Sequence, residues 1–226
     1  MISMSSETKT IGVKGMRWMI WSIYIIMVIT IIIAWVFYPQ FYYFWEQPTS
    51  HLGGLRTLNS ELDNFPSILI FSTGFVILGI VAIAAGALYF KHVKKFRFAI
   101  LKGVLLVIMG IGAIGIAIPH DYTPMIIFHQ IGAFMFLSSL AALNAVFQVI
   151  HCLAKYGYHC EDKKVDYYVD YTFVILLIGA AVTYYATEVI HYVWPAGWWI
   201  KPPMMQKILL FTAIIAAGLL DLDDIK

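Results

Sequence analysis

Four histidines, His51, His120, His129 and His191, and five carboxylates, Glu46, Glu61, Asp63, Asp121 and Glu188, stand out in a chain that is otherwise mostly apolar. Imidazole and carboxylate together suit Zn, Cu, Fe or Ni. Glu188 and His191 are three apart, so one helix would present both from a single face. His120 and Asp121 open the corner His120-Asp121-Tyr122-Thr123-Pro124-Met125, and His129 lies about one turn into the apolar run that follows. If the helices bearing them meet, His120, His129, Glu188 and His191 converge into a site for a divalent transition metal. The same residues have two other uses. His129 can bond a neighbouring carboxylate or carbonyl and orient the surrounding loops as a polar cap. Alternatively Asp121, His129, Glu188 and His191, with Trp194, Trp198 and Trp199 at the interface, form a pocket for a phospholipid headgroup. Ionisable groups at membrane depth are costly, so each of these placements needs a reason.

The elements that must position these groups are apolar spans. The chain has 226 residues, 61% hydrophobic and 12% charged, which is far too apolar for a soluble domain. Its net charge is +2, and its basic residues sit at the ends of apolar runs, so nothing points to nucleic acid. The expected fold is all-α: a polytopic membrane protein with six transmembrane helices in an up-and-down bundle, at about 18–38, 66–90, 98–119, 124–150, 167–190 and 203–220. A tail at 1–17 precedes the bundle and another at 221–226 follows it. The first run is too long for a signal-peptide core, so it is expected to remain as a helix. Small residues such as Gly79, Gly110, Gly112, Gly115, Gly132 and Ser138 would let these helices approach closely.

Orientation follows from Lys and Arg. Of the fifteen, only Arg56, Lys201 and Lys207 fall on the side opposite the N-terminus, which predicts both termini in the cytoplasm of a multi-pass protein of the plasma membrane or an endomembrane. The four histidines above then share the outer side. Cys152 and Cys160 fall on the inner side, in His151-Cys152 and His159-Cys160, and are expected to be reduced; a zinc site or palmitoylation of Cys152 are the open alternatives. No phosphate-cradling loop or serine elbow is present, and no catalytic dyad can be named. His92 and His151 on the inner side, with His120 and His191 on the outer, resemble the ligand layout of six-helix di-haem cytochromes b. That resemblance implies haem b and a membrane oxidoreductase, or a subunit of one.

The order of features also resembles the six-helix damage-regulated autophagy modulators and their relatives, the FGF-receptor-activating and GPI-anchor-remodelling membrane proteins. The likeness lies in a polar outer loop, the helix entry Asn64-Phe65-Pro66-Ser67, a glycine-rich third helix, and a fourth that opens Ile127-Phe128-His129-Gln130-Ile131-Gly132-Ala133-Phe134-Met135-Phe136. It implies a lipid-organising or regulatory role without classical catalysis. Membrane lipids would be the partners, with a membrane-protein partner or a second copy also open. It gives His129 a structural or headgroup-binding part.

Overall fold

The computed structural model describes residues 7–57, 62–94, 98–156, 164–193 and 201–219, and the side chains at 7–14, 150–151, 153–156, 164–170 and 217–219 fall outside that description. The described residues form six α-helices: α1 (Glu7–Val36), α2 (Phe65–Lys91), α3 (Ala99–Ile116), α4 (Ile126–Tyr156), α5 (Lys164–Val193) and α6 (Pro202–Leu219). Among the described residues five stretches are long and apolar enough to cross a membrane: Gly15–Val36, Phe65–Lys91, Ala99–Ile116, Thr123–Val149 and Tyr171–Val193. The apolar part of α6, Pro202–Ala216, is shorter. An all-helical solution is what lipid demands, because only a helix satisfies its backbone polar groups within one segment.

Helix ends differ from the apolar boundaries in an instructive way. α4 and α5 run past the expected ends at Ile150 and Tyr167, to Tyr156 and back to Lys164, because polarity alone does not stop a helix and no Pro or Gly interrupts either stretch. α3 instead stops early, at Ile116, because Pro119 cannot donate into the helix and biases the residue before it away from helical geometry.

Consecutive helices α1 to α4 pack side by side. α5 packs on α6 and α4, and α6 also touches α1. The glycines show how close the contacts are. A Cβ on Gly79 would lie 2.6 Å from the Gly110 carbonyl oxygen, and one on Gly86 would lie 2.8 Å from that of Gly103. The pairings 79 with 110 and 86 with 103 run in opposite directions, so α2 and α3 are antiparallel. α3 meets α4 the same way, with a Cβ on Gly115 coming 2.7 Å from Cα of Gly132 and one on Gly132 coming 2.6 Å from Cα of Gly115. Deeper in the bundle the Asn144 amide donates to the Tyr24 hydroxyl at 2.9 Å and ties α4 to α1.

The described residues before α2, those between α3 and α4, and the start of α6 gather at one end. It is called the outer end, after the lysine-poor side of the sequence. There the described residues between α1 and α2 form a cap, with a 3-10 turn at Thr49–Gly53 and an antiparallel bridge between Arg56 and Asp63.

Backbone-to-backbone contact cannot absorb a side chain. Gly132→Val is expected to destabilise the bundle by about 1–3 kcal/mol or more, as overpacking does. Gly179→Ala, at an exposed position with nothing within 4 Å, is expected to be neutral or slightly stabilising. Thermal melting of the two purified variants in detergent checks the contrast.

Candidate functional site

The outer corner is built around the end of α3. A helix leaves its last carbonyls without partners, a cost that is high in apolar surroundings. Two neighbours supply donors: the Ser72 hydroxyl of α2 donates to the Ala117 carbonyl at 2.7 Å, and His129 of α4 meets the Ile118 carbonyl through Nδ1 at 2.6 Å. A carbonyl only accepts, so Nδ1 of His129 carries the proton. His129 is 5% exposed, and its place in the first turns of α4 sets it under the corner.

Asp121 does the matching work for the cap. Its two carboxylate oxygens accept the Leu55 N–H at 2.8 Å and the Arg56 N–H at 2.9 Å, so the corner holds a segment of the cap more than sixty residues away in sequence. Burial acts to raise the Asp121 carboxyl, but those two N–H groups and His120 outweigh it and hold it below the ordinary carboxylate value. The cap is pinned from α2 as well. The Asn64 amide donates to the carbonyls of Leu52 at 3.1 Å and Gly54 at 2.9 Å, and the Ser67 hydroxyl donates to Leu52 at 2.8 Å.

Between cap and corner the rings of His51 and His120 stack at 4.6 Å, and His129 lies 6.0 Å from His120. Burial, then the charges of His120 and Lys207, push His51 from 6.5 down to about 4, against a smaller upward pull from Asp121. Burial lowers His120 too. Below this stack a cavity of ≈ 40 Å³, room for a water molecule or so, separates His129, Thr49 and Gln206 from a floor that includes Phe71, Phe75 and Phe136.

Glu188 and His191 do share a face of α5, but they open onto a second place. An outer cleft of ≈ 300 Å³ is lined by Glu46 and Pro48 of the cap, Glu188 and His191 of α5, and Lys201, Pro202, Pro203 and Gln206 at the start of α6. Lys201 and Glu46 face each other across it at 3.5 Å, both well exposed. The four residues expected to meet around a metal therefore divide between corner and cleft, because α3 packs on α2 and α4 whereas α5 packs on α6 and α4. Among the described residues no three His, Cys, Asp or Glu side chains are grouped to hold a metal ion. Of the haem layout, His120 is committed to its stack on His51 and His191 to the cleft, His92 follows the last turn of α2, and the side chain of His151 lies outside the described residues. Trp194, Trp198, Trp199, His159 and Cys160 also lie outside them, and Cys152 is buried on α4 and in no disulfide.

His51, Gln206 and Lys207 are among the contributors that were not singled out as site residues from the sequence. Lys207, 2% exposed, donates its ammonium to the Gln47 carbonyl and lies over the rings of Tyr42 and Phe44 at 5.7 and 5.1 Å. Its signal was legible, since a lone Lys inside an apolar helix requires partners. Gln206 accepts the Thr49 N–H at 3.1 Å and carried no such signal. Comparison of the chain with protein-family models, with curated proteins and with solved structures finds no match.

The lowered imidazoles give the cap a pH dependence with a definite sign. A folded-state value below the unfolded one means that the unfolded chain binds protons first as pH falls. Stability is therefore complete above about pH 6.5 and declines as the pH drops toward about 4, whereas the loss tied to Asp121 comes only below the ordinary carboxylate range. Melting midpoints taken across that window should fall for the wild type. They should fall less for His51→Phe, which keeps a ring to stack on His120.

Proposed function

We propose that the chain is a multi-pass integral membrane protein, with its lysine-rich edge in the cytoplasm, that holds membrane lipid at its outer end in an organising or regulatory role without classical catalysis. The observation that supports this reading is the ≈ 300 Å³ cleft, where Glu46, Glu188, His191 and Lys201 bring both signs of charge to the end of a bundle whose sides are apolar. A lipid headgroup lies at that level of a bilayer, and its phosphate and polar substituents are what such a mixture can bind. The corner supports the same reading in another way. His129 and Asp121, which the sequence offers as pocket residues, are occupied with backbone groups, so they shape the cap and leave headgroup binding to the cleft. The role agrees with what the resemblance to the autophagy-modulator and anchor-remodelling membrane proteins implies.

Native mass spectra of the purified full chain should show a retained phospholipid, and Lys201→Glu combined with His191→Ala should remove most of it while leaving the helical circular dichroism unchanged. Equal lipid retention by this double variant and the wild type would overturn the proposal.

A further inference from the structure

Resting on the lipid-binding reading just given, we infer that the outer cleft selects a zwitterionic phospholipid, one whose headgroup joins a phosphate to an ammonium.

The charge set in the cleft has two halves. Lys201 and His191 offer one ammonium and one imidazole, whereas Glu46 and Glu188 offer two carboxylates, so fixed negative charge is in excess. A headgroup that carries only negative charge gains from Lys201 and is opposed by both carboxylates. One that carries phosphate and ammonium together satisfies both halves. The Glu46–Lys201 pair is more than half exposed on each side, so screening leaves it little net strength and it yields readily to a ligand that offers each partner a counter-charge. Glu188 is exposed on the face of α5 that lines the cleft, one turn beyond Tyr184, whose hydroxyl lies within hydrogen-bonding reach of it.

Gln206 adds direction. Its Oε1 accepts the Thr49 N–H, which leaves both of its N–H donors to offer, and it forms part of the wall shared by the cleft and the ≈ 40 Å³ cavity. A donor at that position suits a phosphate or ester oxygen. The apolar surface near the charged groups favours a lipid over a free headgroup. On α5 Tyr192, 89% exposed, lies one turn beyond Glu188 on the same side of the helix and next to His191, giving acyl chains a surface beside the charged groups.

The test titrates the full-length protein in non-ionic detergent, by native mass spectrometry, with short-chain phosphatidylcholine, phosphatidylethanolamine and phosphatidylglycerol, and with glycerophosphocholine as the chain-free headgroup. The two zwitterionic lipids should bind about tenfold tighter than phosphatidylglycerol, the worth of one charge-assisted contact. In Glu46→Gln/Glu188→Gln, both positions being exposed, that preference should vanish while phosphatidylglycerol binds at least as well as before. Tighter binding of phosphatidylglycerol to the wild type overturns the zwitterionic assignment and leaves lipid binding standing. Glycerophosphocholine binding as tightly as the lipids overturns the lipid as the source of the headgroup. Binding of none of the four overturns both this inference and the reading beneath it.

Discussion

Everything at the outer end depends on how the carbonyls just past α3 find donors where little water reaches, and on how the exposed edge of the cap is held to the corner. His129 and Ser72 bring donors to Ile118 and Ala117, and Asp121 brings acceptors to Leu55 and Arg56. Each is a side chain spent on backbone. Unpaired, the part-buried carbonyls of Ala117 and Ile118 would cost up to about 1–3 kcal/mol each, whereas the Asp121 bonds are open to water and fix the place of the cap more than they stabilise it. Once they are paired, the cap has a fixed position, and with it Glu46 and Pro48 form one wall of the cleft.

The glycine contacts in the bundle serve the same end from below. Because α3 lies against α2 and α4 at backbone distance, the corner between α3 and α4 has little freedom to shift. A buried polar device needs such a frame, since a displacement of an ångström would break the 2.6 Å contact of His129 with Ile118. α5 and α6 form a pair of their own beside this frame, and the cleft lies where the pair meets the cap. The rigid corner and the polar cleft are thus neighbours with different tasks.

Much of the fold was legible because apolar run length has a direct physical meaning in a bilayer. The span expected at 66–90 forms as Phe65–Lys91, with Pro66 at its first turn. Helix continuation through His151 and Cys152 was not legible, because a polar boundary marks where water begins and a helix can go on beyond it. At the corner, residue types announced that His120, Asp121 and His129 required partners, and the polar-cap alternative named a carbonyl as one of them. Which carbonyl, and which amides, could not be read, since backbone groups have no sequence signature and Leu55 and Arg56 are distant along the chain. The convergence of Glu188 and His191 with His120 and His129 hinged on whether α5 meets α3, and helix periodicity does not fix a neighbour order. His51 was visible as an outer histidine, but stacking on His120 depends on the cap's own fold.

The claim on which the account turns is that lipid headgroups dwell in the cleft between cap, α5 and α6, and photo-crosslinking locates them most directly. A phosphatidylcholine analogue with a photoactivatable headgroup, supplied in vesicles containing the protein, should label peptides bearing Glu188 to His191 and Lys201 to Gln206. Labelling confined to the opposite end, around Lys91 and Lys94, would contradict it.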